Sequence, residues 1–126
     1  MPRRIIHCFR APLGGVMRHV GDLVTAQHGM GLDVGLITAS NLGGAGADKL
    51  LRSLEPKCTL GIHRLPMGRL PMLRDLAAYR AIRKICHALR PDLLHGHGAK
   101  GGAFAALIQD GKSGSRSHES NLSIQA

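Results

Sequence analysis

Short apolar runs alternate along the chain with longer stretches whose apolar residues recur at helical spacing. Residues 5–9 (IIHCF) are mostly apolar, β-branched at their start, and lead into Arg10-Ala11-Pro12, a pattern that predicts a buried strand and a turn. Gly14-Gly15 then opens a helix in which Val16, Val20, Leu23 and Val24 fall at i, i+4, i+7 and i+8, one stripe facing a sheet; Gly29 and Gly31 end it. Residues 33–38 (DVGLIT) predict a second strand, and residues 39–47 a glycine-rich loop. Asp48 is the expected N-cap of a short helix reaching Leu54, which Glu55-Pro56 breaks before a third strand at residues 59–65. Across residues 73–89, Ala78, Ile82, Ile85 and Leu89 share one helical face, and Arg80, Arg83, Lys84 and His87 the other. Arg90-Pro91 stops that helix, residues 92–95 give a fourth strand, and residues 100–108, rich in Ala and Leu, a fourth helix.

Regular alternation of strand and helix predicts an α/β fold, a Rossmann-like parallel sheet with flanking helices. Parallel strands would carry the loops at residues 10–15, 41–46 and 96–102 to one edge of the sheet. Open α/β sheets bind ligands outside the carboxyl ends of their strands, where glycine lets backbone N–H groups approach a phosphate or sugar. A nucleotide or nucleotide-sugar site is the expectation. In the common strand order the fourth strand lies beside the first and further strands follow it, so the sheet reads as incomplete. Residues 1–108 form the predicted domain; residues 109–126, with five serines and little apolar surface, read as a polar, disordered tail.

Composition narrows the function. With 126 residues there is room for one domain. Aromatics are 2% of the chain (Phe9, Tyr79 and Phe104), too few for the stacking platforms that grip single-stranded nucleic acid, so no specific nucleic acid is expected as a partner. A net charge of +9 attracts polyanions, anionic lipid headgroups or phosphorylated ligands, and twelve of the seventeen basic residues are Arg, whose planar fork suits phosphate. Cys8, Cys58 and Cys86 are odd in number and widely spaced, which indicates neither a disulfide framework nor a zinc knuckle and fits a cytoplasmic thiol set. No run approaches the roughly 18 apolar residues of a spanning helix.

The segment from Gly96 to Gly101 (GHGAKG) fits G-x-G-x-x-G between a predicted strand and helix. A dinucleotide fingerprint, however, belongs on the first βαβ unit with a carboxylate about 20 residues on, and Glu119 near that spacing lies in the polar tail. The glycines serve either a phosphate or sugar contact at the helix N-terminus or a tight strand-to-helix turn. Gly111-Lys112-Ser113 ends like a P-loop, but Ala106 occupies the required glycine position. His95 and His97 share a strand face without an Asp, Glu or Cys at a convincing spacing to complete a ligand set, so neither a metal nor a cofactor is expected and His97 is read as a hydrogen-bonding group in the crevice. Arg10 with Gly14 and Gly15 opens the first helix, where the dipole favours anions; His19 is either a core-boundary residue or a ligand contact.

Residues 4–38 and 89–107 together resemble the N-terminal domain of family 4 glycosyltransferases of the GT-B fold. The shared features are the Gly-Gly helix opening, a histidine four residues after the second glycine, the GLDV entry to the second strand, and PDLLHGHG followed by a small-residue helix. The resemblance implies a two-domain enzyme that moves a sugar, with retention, from a nucleotide-sugar donor to a carbohydrate or lipid-linked acceptor. The N-terminal domain then forms the acceptor side, at the inner face of an anionic membrane or free of it. By that resemblance Gly14 and Gly15 form the loop near the donor diphosphate, His97 is the catalytic histidine facing the transferred sugar, and Lys100 contacts phosphate or acceptor. The paired-glutamate motif of the family's C-terminal domain has no counterpart here, Glu55 and Glu119 being the glutamates of the chain. A truncated, inactive fragment is the expectation, with a non-catalytic phosphoryl-ligand or membrane-binding module as the alternative.

Overall fold

The computed structural model describes residues 3–68 and 73–113. Its elements run β1 (Arg4–Cys8), α1 (Gly14–Gly29), β2 (Asp33–Ala39), α2 (Gly44–Leu54), a 3₁₀ turn (Glu55–Lys57), β3 (Gly61–Leu65), α3 (Leu73–Leu89), β4 (Leu93–Gly96) and α4 (Gly98–Ser113). Among the described residues the strands make one sheet in the order β3-β2-β1-β4, and each neighbouring pair is parallel. This is the Rossmann-like arrangement that the alternating pattern predicts, with the fourth strand beside the first.

Period-two alternation sorts each strand between two helical layers. Ile6, Cys8, Ile37, Ala39 and Leu94 pack with Ala78, Ile82 and Cys86 of α3 and with Phe104 and Ile108 of α4. On the opposite face Phe9, Val34 and Leu36 pack against Met17, Val20 and Val24 of α1 and Leu51 and Leu54 of α2. Each fully buried aliphatic side chain in these layers contributes roughly 1.5–3 kcal/mol. Cys8, Cys58 and Cys86 are buried inside them and joined in no disulfide, and burial pushes Cys8 up to about 12 and Cys58 up to about 11.

The core stripe of α1 keeps Val20 and Val24 of the predicted set but not Val16 or Leu23, which is only partly buried. Met17 is buried and Val16 is 38% exposed, because the buried set runs 17, 20, 24 at i, i+3, i+7 and turns Val16 toward the carboxyl edge of the sheet. A flexible Met reaches the core from a position that a branched Val leaves for the rim.

Helix α2 begins four residues before the expected cap. Gly43, at φ 93°, holds the left-handed turn that lets the chain enter the helix at Gly44. Asp48 instead forms an ion pair with Arg64 of β3, whose guanidinium also donates to the carbonyls of Ala39 (3.0 and 3.2 Å) and Leu42 (3.1 Å). One arginine thereby ties β3, α2 and the loop after β2 together.

At the amino edge of the sheet, the Asp92 carboxylate accepts N–H bonds from Arg3 (2.9 Å) and Arg4 (3.1 Å), and the Arg3 bond chiefly holds its pKa below the usual carboxylate value. Strand β4 therefore starts at Leu93, one residue after this clamp. Helix α4 continues past Ile108 to Ser113, so residues 109–113, read from sequence as the start of a tail, are helical. The segment around Pro71 and the tail from residue 114, Glu119 included, lie outside the described residues. No helix among the described residues is long and apolar enough to cross a membrane.

Candidate functional site at the carboxyl edge

The loops after β1 and β4 meet at the carboxyl edge because their strands are adjacent, and the amide of His97 donates to the Cys8 carbonyl (2.9 Å) to extend that pairing one residue further. Three glycines then let α4 start directly on top of the sheet. A Cβ on Gly96 would stand 2.7 Å from the Gly101 carbonyl carbon and from Gly102 Cα. On Gly101 it would overlap the Cys8 carbonyl oxygen and reach Phe9 Cα at 3.1 Å. Gly98 adopts φ 75°, a left-handed conformation that turns the chain from strand to helix. The G-x-G-x-x-G spacing thus serves close packing of helix on strand and a tight turn, the conformational half of its two sequence readings.

Between these loops lies an open cavity of about 450 Å3, lined by Arg10, Ala11, Val16, His97, Gly98 and Lys100 with Ala103 beyond. Arg10 comes from the β1 loop and donates through Nε to the Gly68 carbonyl (3.3 Å), while Lys100 comes from the first turn of α4. Two cations, one from a loop and one from a helix start, therefore border one concavity, an arrangement suited to an anionic ligand.

Beneath the cavity the α1 face of the sheet carries three histidines. His7 and His95 are register partners on β1 and β4, and His97 follows two residues later on the same face. Their exposures are 0%, 9% and 5%, and one donor nitrogen from each lies within 4.8 Å of the others. Gln27, three residues beyond Val24 on the buried stripe of α1, places Oε1 2.8 Å from His7 Nε2. That carbonyl oxygen only accepts, so His7 Nε2 carries the proton and Nδ1 the lone pair. His97 Nε2, at 2.9 Å, then donates to His7 Nδ1, leaving His97 Nδ1 as an acceptor.

Burial, reinforced by the neighbouring histidines, lowers His97 to about 3; burial lowers His7 to about 4 against the opposing bond from Gln27. Both imidazoles are neutral at pH 7. His97 accordingly offers the cavity a neutral imidazole rather than a positive charge.

Of the residues singled out in the sequence, Arg10, His97 and Lys100 come together around this cavity, and His19, exposed on α1, sets its ring edge-on to His97 at a centroid distance of 5.6 Å. Gly14 lines a different groove, about 310 Å3 between α1 and α2, and Gly15 lines neither; a Cβ on either would meet nothing within 4 Å. The loop at residues 41–46 joins the segment after β3, where Asn41 exchanges bonds with Met67 (3.1 and 3.2 Å), and does not border the cavity. His7 and Gln27 escaped sequence reasoning. A histidine inside an apolar strand has no local signal of partnership, and only the β1–β4 register sets it beside His95.

A sequence profile described as glycosyl transferase 4-like domain matches residues 14–114. No curated protein matches the chain. Among solved structures, the C-terminal domain of a hydrogenase from Pyrococcus furiosus is similar with a TM-score of 0.58 over 99% of this chain and 92% of that one. At 13% identity that likeness concerns the fold alone. The profile spans both α1 and the β4–α4 junction that bound the cavity, and the chain belongs to the glycosyl transferase 4-like domain family.

Proposed function

We propose that this domain supplies the acceptor-side half of a retaining GT-B glycosyltransferase, which moves a sugar from a nucleotide-sugar donor to a carbohydrate or lipid-linked acceptor. The observation that carries the reading is the convergence of Arg10 and Lys100 on a cavity whose floor is the neutral His97. Arg10 and Lys100 offset negative charge on a donor phosphate, where charge develops as the sugar departs. His97, its Nε2 proton engaged by His7, accepts a hydroxyl hydrogen of the transferred sugar through Nδ1 and so orients it. Gly14 and Gly15, which carry no side chains into the open space at the start of α1, leave room for the donor diphosphate to approach from a second domain.

In this division of labour the present chain binds the donor weakly, because the donor-holding groups belong to the partner half, and sugar transfer requires both halves. Isothermal titration of the full chain with nucleotide sugars tests it. Weak heats that diminish in the Arg10→Ala and Lys100→Ala variants support the assignment, whereas tight donor binding by this chain alone contradicts it.

A further inference from the structure

Neither the sequence spacing nor the family assignment requires a metal, yet the fold assembles a ligand set for one. His7, His95 and His97 come from two adjacent parallel strands, share one face of the sheet, and bring one donor nitrogen each to within 4.8 Å of the others. We propose that these three histidines bind a divalent cation of the zinc class, with its remaining coordination position opening toward the cavity that His97 lines.

The chemistry of the donor set favours that class of ion. Imidazole suits Zn, Cu, Ni and Fe, and three protein nitrogens plus one open position is the arrangement of open zinc sites. Zn–N bonds of about 2.0–2.1 Å in tetrahedral geometry place ligand nitrogens roughly 3.3 Å apart. His7 Nδ1 and His97 Nε2 now stand 2.9 Å apart across a shared proton and open by a few tenths of an ångström to admit the ion, while the wider separations in the set, up to 4.8 Å, close on it by as much as about 1.5 Å through ring movement.

Entry of the ion needs no net loss of a proton. Gln27 already fixes His7 with Nε2–H outward and the Nδ1 lone pair inward, the tautomer a ligand requires. His97 exchanges its Nε2 proton for one on Nδ1 and turns the freed Nε2 lone pair to the cation. Gln27 is then an outer partner of the kind that orients ligating histidines.

Within the cluster the ion meets imidazoles and no carboxylate, so it retains its full charge. Its open position therefore attracts an anion or a water molecule entering between Arg10 and Lys100. Loading also engages both nitrogens of His97 and withdraws the acceptor that the apo form presents. The metal-loaded and metal-free cavities consequently differ in what they bind.

The full chain, stripped with chelator and dialysed, is titrated with Co2+ and then Zn2+, followed by visible absorption, calorimetry and proton NMR. One equivalent of Co2+ is expected to give the intense d–d bands of a four-coordinate nitrogen site, which Zn2+ bleaches. The Co2+-loaded wild-type protein, before Zn2+ is added, is expected to show three exchangeable, hyperfine-shifted imidazole N–H signals, one per ligand, a readout that needs no variant. Gln27→Ala should weaken binding about 10- to 100-fold. His97→Ala should abolish the bands, and exposed His28→Ala should leave them unchanged, each with unaltered far-UV circular dichroism. Weak octahedral-type absorption, fewer than three shifted imidazole signals, or binding lost in His28→Ala but retained in His97→Ala overturns the proposal.

Discussion

Replacing Gly101 by alanine puts a methyl group where α4 rests on the backbone of β1. The added Cβ overlaps the Cys8 carbonyl oxygen and lies 3.0 Å from its carbon and 3.1 Å from Phe9 Cα. Those atoms are main chain in the centre of the sheet and cannot swing aside as a side-chain tip does. Relief requires α4 to lift by about an ångström, since comfortable C···O contacts lie near 3.3 Å. Overpacking of this kind costs about 3 kcal/mol, and the gain in helix propensity from Gly to Ala returns about 1 kcal/mol. The net loss is then about 2 kcal/mol, roughly a thirtyfold fall in the folding constant.

Because the Cys8 carbonyl also accepts the His97 amide bond, lifting α4 should move His97 as well. Urea unfolding followed by far-UV circular dichroism measures the first effect, and the His97 amide chemical shift reads the second. Gly46→Ala is the matched control: it lies in α2 with nothing within 4 Å of the added Cβ, so it should stabilise by about 0.5–1 kcal/mol. Equal or greater stability for Gly101→Ala than for the wild type would refute the reasoning that this glycine is required by backbone contact.

Arg64→Ala should destabilise by about 1–3 kcal/mol by leaving the Ala39 and Leu42 carbonyls without their donor, and Arg64→Lys should recover only part, because one ammonium cannot span both carbonyls and Asp48; urea midpoints rank the three proteins. In chelator, acid should unfold the chain earlier than its carboxylates alone predict. His7 and His97 are held below the ordinary 6.5, so their unfolded forms take up protons first; stability is complete above about 6.5 and is lost as pH falls through the window from 6.5 to about 4 for His7 and on to about 3 for His97. A Tm that stays level from pH 7 to pH 4.5, or rises, would show that these rings are not buried neutral.

The parallel sheet was legible because strands buried on both faces leave short β-branched runs, and because helices of intermediate length separate them. Strand order came from the common order of doubly wound sheets, in which the fourth strand lies beside the first. Helix boundaries were less legible where glycine sets them: Gly43 starts α2 by a backbone conformation that the Asp48 capping signal conceals. The start of the α1 stripe was misjudged, since Val16 and Met17 are equally apolar and only the packed structure decides which reaches the core. Arg10 and His97 were visible as residues flanking strand ends, and Lys100 came in through the family resemblance. His7, Gln27 and Arg64 were not, since their partners are 90, 20 and 16 positions away in sequence. Register creates these contacts, and a single sequence does not display register.

The central claim, that the cavity between the β1 and β4 loops is this domain's share of a sugar-transfer site, is tested most directly by mapping a nucleotide sugar onto the assigned amide and side-chain NMR spectrum of the full chain. The account predicts saturable shifts centred on Arg10, His97 and Lys100, with smaller ones at Val16 and His19. Shifts centred instead on Arg18, Asp22 and Thr25 in the groove between α1 and α2, or no saturable shifts at the carboxyl edge, would contradict it.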